Sequence, residues 1–430
     1  MGIKVWKALP LFLVIAIGCA PANRIRKKLI QSETEFNEHI GFLLYDPLSH
    51  KSLIDFNSDI YFTPASNTKI FTFYTGLQVL GDSIPGLRYV LKGDSLIFWG
   101  TGDPSFLYPE VYSSGRTFQF LKNHPSNLYF SKSGFDATPL GPGWAWDDYP
   151  YSYSAERSAF PLYGNTVTFT DTISGNVQAS PSYFMSHIDW GERREKPEME
   201  RKFDDNQFTF SPGNDSMKFI RVFPFKTSAE ITVSLLSDTL KREVTLVDIP
   251  TPPATNLIYS LPSDSLYKVM MQESDNFIAE QLLLMCGGVV ADTLKSEIAI
   301  EYAKQNLLFD LPDEPQWVDG SGLSRYNLFT PRSIVRLWQK IYEKVPRERL
   351  FPLIATGGVS GTIKNAYRGD TPYIYGKTGT LSNNHCLSGY IVTRKKRLLI
   401  FSYMNNNYTV PTREIRSQME EVLKEVHEKY

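Results

Sequence analysis

Ser66 and Lys69 stand three residues apart in the stretch Thr63-Pro64-Ala65-Ser66-Asn67-Thr68-Lys69. On a helix that spacing puts both side chains on one face, so the amine stacks beside the hydroxyl. Pro64 suits a first helical position, and Thr63 is placed to cap the free amides. Ser66 then falls in the first turn, where the helix dipole favours a developing negative charge. A lysine desolvated there, near other cations, can lose its proton and act as the base that activates the serine. The pair alone is a weak signal, because Ser265 and Lys268 repeat the spacing and an ordinary helix start explains either.

Two further constellations supply partners. Ser274-Asp275-Asn276 interrupts a run of helical apolar spacing. Its hydroxyl can relay a proton to a leaving amine, and its asparagine amide can fix a peptide group. Lys377-Thr378-Gly379-Thr380 lies in a strand-like run. It offers a fixed cation, hydroxyls for a carboxylate, and a glycine that lets substrate approach the backbone. A polar helix junction and an edge strand with a solvated lysine are the bland alternatives. The ordered trio of SxxK, SxN and KTG is far more specific than any member.

The elements that must position these groups follow from patterning. Residues 40–45 and 53–56 read as strands joined through Asp46-Pro47. The Ser66 helix continues through Ile70, Phe71, Phe73, Leu77 and Leu80 to a stop at Gly81. From about residue 82 to 254 short strand-like runs (88–91, 95–99, 166–170, 231–236, 243–247) alternate with turns rich in Gly, Pro, Asp and Asn. Residues 189–205 are charged and predict an exposed loop. Helices return after Pro252-Pro253: residues 263–285, a helix begun by Thr330-Pro331, and a closing amphipathic helix over 413–427. Residues 373–380, 387–393 and 398–403 predict consecutive antiparallel strands. The expected fold is α+β: an antiparallel sheet flanked by helices, built from 24–82 plus 256–430. A β-rich insertion over 83–255, of one or two subdomains, splits it.

At 430 residues with 42% hydrophobic and 13% aromatic composition, the chain can bury a large core. A net charge of −1 without a basic run gives no footprint for nucleic acid. The six histidines are scattered, with no HExxH or CxxC, so no metal or other cofactor is expected.

Lys4 and Lys7 precede an apolar run over 8–17 that is short for a bilayer span and has the layout of a secretory signal. Ala16-Ile17-Gly18-Cys19 resembles a bacterial lipobox, which makes Cys19 the expected lipidation site and residues 1–19 the leader. The protein is thus expected to be exported and periplasmic, anchored to a membrane through Cys19. Export permits a disulfide, but Cys286 in an apolar helical run and Cys386 in a strand-like one predict two buried small residues.

The trio, in this order, is the signature set of penicillin-recognising serine enzymes. The chain closely resembles the D-alanyl-D-alanine carboxypeptidases/endopeptidases of the class C low-molecular-mass penicillin-binding proteins (penicillin-binding protein 4 type). Beyond the trio, the resemblance is carried by Gly102-Asp103-Pro104-Ser105, Tyr153-Ser154-Ala155 with Gly164-Asn165, Ala279-Glu280, and Asp319-Gly320-Ser321-Gly322-Leu323-Ser324-Arg325. It implies a β-lactamase/transpeptidase-like core and acyl transfer on peptidoglycan stem peptides, with β-lactams as covalent inhibitors. It also implies that Ser66 is the acylated nucleophile, Lys69 its base, Ser274 a proton shuttle and Asn276 the holder of the substrate amide. Lys377 would stay charged, with Thr378, Gly379 and Thr380 binding substrate and the backbone amides of Ser66 and Thr380 forming the oxyanion hole. The 319–325 stretch would support the site, and the insertion would be somewhat trimmed relative to the family. Two rivals are a β-lactamase and an attenuated penicillin-binding lipoprotein acting as scaffold. The class A β-lactamases place a deacylating glutamate about 36 residues past the start of SxN; here that region is Asp310-Leu311-Pro312-Asp313-Glu314.

Overall fold

The computed structural model describes residues 16–111, 115–172, 176–214 and 219–430. Most of the expected leader therefore lies outside the described residues. Cys19 falls in the first turns of a helix, Ala16–Phe36. Among the described residues no helix is long and apolar enough to cross a membrane.

The core is a six-stranded sheet in the order Ala355–Thr356, Ile374–Leu381, Asn384–Val392, Leu398–Asn406, His39–Asp46, Lys51–Phe56, every pairing antiparallel. Its central strands are buried along nearly their whole length because both faces are covered. Side chains alternate between faces with the period-2 pleat. Phe42, Leu44, Leu387, Phe401 and Tyr403 meet Ala16–Phe36 and the closing helix Thr412–Lys429 through Ile25, Leu29, Met419 and Leu423. Leu43, Cys386, Tyr390, Ile400 and Met404 point the other way, into the cluster formed by Lys69–Val79, Asn276–Ala291 and Pro331–Lys344. Pro331 opens the last of these helices, and the Thr330 hydroxyl caps it by accepting from the Ser333 amide at 3.2 Å. Cys286 and Cys386 are both buried and unpaired, as their apolar contexts predict.

Between Lys69–Val79 and Ser263–Gln272 the chain builds a second apolar cluster, drawn from residues between Leu87 and Ile258. It rests on a five-stranded sheet in the order Val244–Val247, Asn127–Ser131, Ser95–Gly100, Ser83–Lys92, Asn256–Pro262 and on two three-stranded sheets. The first two pairings of the larger sheet are parallel and therefore need crossover connections. Arg116–Asn123 makes one of them. The run at 231–236 belongs to another helix, Ala229–Leu240, where a strand was expected. Ser228 caps it, and Thr232, Leu235, Leu236 and Leu240 bury one stripe. A crossover of helical period overrides the β-branched content of Ile231, Thr232 and Val233. The 189–205 stretch is largely exposed but contributes Glu198–Arg201 to a small sheet.

Candidate active site

Ser66 lies in a 3-10 turn, Ala65–Thr68, that leads into the helix Lys69–Val79. A regular α-helical start was expected, with Thr63 as cap. Instead Pro64 occupies the cap position without a side-chain bond, and the Thr68 hydroxyl donates back to the Ala65 carbonyl at 2.9 Å. The tighter turn still brings the pair together. Lys69 Nζ donates to Ser66 Oγ at 2.9 Å, to Asn276 Oδ1 at 2.6 Å and to the Ser321 carbonyl at 2.7 Å. Lys268, in the alternative pair, is exposed.

Ser274 and Asn276 reach this point because the chain breaks between Ser263–Gln272 and Asn276–Ala291. Ser274 takes a positive φ of 64°, sparsely populated by a residue with a side chain. Asp275 then caps the second helix, accepting from the Ile278 amide at 2.8 Å and from the Tyr108 hydroxyl at 2.6 Å. The kink directs Ser274 Oγ to Lys377 Nζ, 2.8 Å away, and leaves Asn276 on Lys69. The Asn276 amide also donates to the Tyr153 carbonyl at 3.0 Å.

Lys377, Thr378, Gly379 and Thr380 run along the strand Ile374–Leu381, beside the Ser66 turn. A Cβ at Gly379 would lie 2.4 Å from the Pro64 carbonyl oxygen and 2.9 Å from the Ser66 amide nitrogen. Glycine is what lets that amide come against the strand next to Thr380, the juxtaposition an oxyanion hole needs. Asn67 fastens the contact: its amide donates to the Lys377 carbonyl at 3.1 Å and accepts from Ser388 Oγ at 2.5 Å. Ser388 in turn accepts from the buried Trp338 indole at 2.9 Å.

Both lysines are fully buried. Burial pushes Lys69 down to about 8, against the pull of the Asp319, Asp275 and Glu280 carboxylates. Burial also holds Lys377 well below the ordinary lysine range, and the charge of Lys69 adds to the effect. Lys377 donates to Ser274 Oγ and to the Thr378 carbonyl, with no carboxylate partner among the described residues. The expected permanent charge on Lys377 therefore has no counter-ion in the free site.

The 319–325 stretch supports the site. The buried Asp319 carboxylate accepts from the Gly322 amide at 2.9 Å, the Ser324 amide at 2.7 Å, the Asn327 side chain at 2.7 Å and the Trp144 indole at 3.0 Å. The knot aims the Ser321 carbonyl at Lys69, while the Ser321 amide donates to Glu280 at 2.7 Å. Gly322, at φ 84°, passes so close that a Cβ would sit 1.9 Å from the Ala65 carbonyl oxygen.

Ser66 and Thr380 divide two open lobes. One, about 490 Å³, carries Ser274, Thr378, His385 and Arg416. The other, about 620 Å³, carries Asn276, Asp147, Asp148 and Arg325. Thr378 shares a 2.7 Å hydroxyl–hydroxyl bond with Thr362, and Thr380 Oγ1 lies 2.8 Å from His385 Nδ1. Burial pushes His385 down to about 3, so it is neutral. The contacts of Asn67, the Ser321 carbonyl and His385 were not singled out from sequence; those of Asn67 and Ser321 span 252 to 321 residues, and that of His385 crosses a hairpin to Thr380. The acidic residues at the class A β-lactamase spacing face elsewhere. Asp310 pairs with Arg336 and Lys340, Asp313 with Arg332, and Glu314 with Lys304.

A model of the D-Ala-D-Ala carboxypeptidase 3 (S13) family matches residues 23–426. The chain is 22% identical over 424 residues to the D-alanyl-D-alanine carboxypeptidase DacB of Haemophilus influenzae, covering 86% of each chain. It is 25% identical over 479 residues to the D-alanyl-D-alanine carboxypeptidase of Actinomadura sp., covering 94% of this chain and 86% of that one. Among solved structures it resembles penicillin-binding protein 4 of H. influenzae, with a TM-score of 0.76 at 19% identity over 95% of this chain and 99% of that one. A predatory peptidoglycan endopeptidase from Bdellovibrio bacteriovorus shares the fold more distantly, with a TM-score of 0.53 at 14% identity over 90% of this chain and 92% of that one. With a match that runs nearly end to end, the chain belongs to the D-Ala-D-Ala carboxypeptidase 3 (S13) family.

Proposed function

We propose that the protein is a serine D-Ala-D-Ala carboxypeptidase, with endopeptidase action on D-alanyl cross-links, acting on peptidoglycan stem peptides through an acyl-enzyme on Ser66. The observation that carries the reading is the Lys69 amine, buried and 2.9 Å from Ser66 Oγ. Neutral Lys69 takes the hydroxyl proton as Oγ attacks the carbonyl carbon of the D-Ala–D-Ala bond. The oxyanion is received by the backbone amides of Ser66 and Thr380, each worth on the order of 3 kcal/mol. As the C–N bond breaks, Ser274 gives its hydroxyl proton to the departing amine and recovers one from the Lys69 ammonium; water then attacks the ester carbonyl, losing a proton to Lys69, and Ser66 leaves with a proton restored to Oγ.

Asn276 holds the acyl-side amide, and Thr378 and Thr380 take the leaving group's carboxylate. That carboxylate supplies the counter-charge Lys377 lacks in the free site and draws the proton back onto it. Export and an anchor on Cys19 complete the reading, supported by the lipobox-like Ala16-Ile17-Gly18-Cys19. Cys19→Ala is expected to release the protein from the membrane fraction, and unchanged fractionation rejects the anchor.

The test is intact mass after benzylpenicillin treatment, beside Ser66→Ala. One penicilloyl adduct, lost in the variant, is expected. An adduct that persists in Ser66→Ala rejects the nucleophile, and no adduct on the folded wild type favours the scaffold reading.

A further inference from the structure

We infer that Arg416 is a specificity-determining residue: with Thr378 and Thr380 it forms a carboxylate-binding subsite for the leaving group, donated by the C-terminal helix. This rests on the proposed reaction and goes beyond it, since neither the sequence motifs nor the reaction assigns Arg416 a part.

Arg416 is the fifth residue of Thr412–Lys429 and lines the same lobe as Ser66, Ser274, Thr378 and Thr380. An exposed arginine on a helix is usually solvated and idle. This one differs in three respects. It has no hydrogen bond or ion pair to any described residue, although the chain holds nineteen ion-pair contacts among them. Its natural partner one turn on, Glu420, is engaged by the Tyr367 amide at 2.8 Å. No acidic side chain lines this lobe, whereas Asp147 and Asp148 line the other. Its near neighbours are His385, held neutral by burial, and the Tyr367 and Tyr408 phenols, which burial keeps protonated.

The lobe is therefore a cavity of hydroxyls with the unpaired Arg416 guanidinium in its lining, and Lys377 touches it only through its bond to Ser274 Oγ. Ser274, the proposed donor to the leaving amine, opens into it, while Asn276 opens into the other lobe. That makes it the leaving side. Whether the leaving group is D-alanine or the D-centre of a cross-linking diamino acid, it carries a carboxylate on the carbon that bears the departing nitrogen. A guanidinium matches that anion in shape and charge. His385 completes the subsite by holding Thr380 Oγ1 at 2.8 Å.

The experiment compares a peptide ending in D-Ala–D-Ala as the free acid with the same peptide amidated at its C-terminus. It uses the wild type, Arg416→Gln and Arg416→Lys. The ratio of kcat/KM on acid to amide is expected to fall about 10- to 100-fold in Arg416→Gln, the usual effect of losing a charge-assisted bond, and to recover in part in Arg416→Lys. An unchanged ratio in Arg416→Gln, including equal losses on both peptides, overturns the subsite. If the wild type cleaves neither peptide, the proposed reaction fails. The acylation rates by benzylpenicillin and its methyl ester then carry the same comparison: a fall in the acid-to-ester ratio in Arg416→Gln sustains the subsite. An unchanged ratio, or no acylation of the wild type, overturns it.

Discussion

Two buried lysines 2.8–2.9 Å from two serines make one device, in which each amine is poised by what surrounds it. Lys69 has three acceptors and nearby carboxylates, and burial still brings it down to about 8. In the proposed reaction the neutral amine is the working form, and its share grows as pH rises through that value. Acylation by benzylpenicillin should therefore climb with pH through about 8 and then level. A rate flat across that range removes Lys69 as the titrating base. Lys69→Ala should slow acylation by about 10²- to 10⁴-fold, the contribution of a positioned base, and a near-normal rate refutes the role. Lys69 was legible in sequence because its partner is one turn away. The depth of its burial was not, since Asn276 and Ser321 come from 207 and 252 residues downstream.

At the scale of elements, the site exists where the Ser66 turn is pressed against the strand Ile374–Leu381. Gly379 sets the distance and Asn67 the register. Gly379→Ala would push a methyl into the Pro64 carbonyl and the Ser66 amide. Overpacking of this kind typically costs about 1–3 kcal/mol. A displacement of about 1 Å at the reacting atoms can cost on the order of 10²-fold in rate. Acylation rate and urea unfolding measured together check this, and a variant with wild-type acylation shows that the close approach is unnecessary. The strand and the turn each announced themselves by pattern. Their contact did not, because it joins residues 310 apart, the Asn67 side-chain amide to the Lys377 carbonyl, with no local pattern to mark the pairing.

At the scale of the whole molecule, a buried ion pair ties the segment between the strands Asn127–Ser131 and Thr166–Thr172 to the helix Asn276–Ala291. Arg157 reaches Glu280 at 3.5 Å and Ser296 at 3.2 Å, and donates to the carbonyls of Thr138 and Leu140. Glu280 in turn receives the Ser321 amide, so the tie ends one residue from the Asp319 knot that braces Lys69. Arg157→Ala would strand the Glu280 carboxylate in the interior, where burial already raises its pKa. The expected loss is about 3–5 kcal/mol, since a buried charge without its partner is strongly destabilising. Urea unfolding checks it, and a loss under about 1 kcal/mol marks the pair as incidental.

The sequence by itself determined the candidate residues and most of the elements. Ser66, Lys69, Ser274, Asn276 and Lys377 were recognisable as candidates because the chemistry proposed for them needs particular side chains at spacings that helices and strands impose locally. The same local periodicity marked the core strands and the capped helix at Thr330-Pro331. Only the tertiary structure decided that 231–236 is a helix, because a parallel pairing distant in sequence demands a crossover there. It also decided that Lys377 has no counter-ion in the free site, and that Arg416 of the last helix shares a cavity with Ser66. Such outcomes depend on which distant surfaces meet and what water they exclude, and burial is a property of the assembled chain rather than of any residue in it.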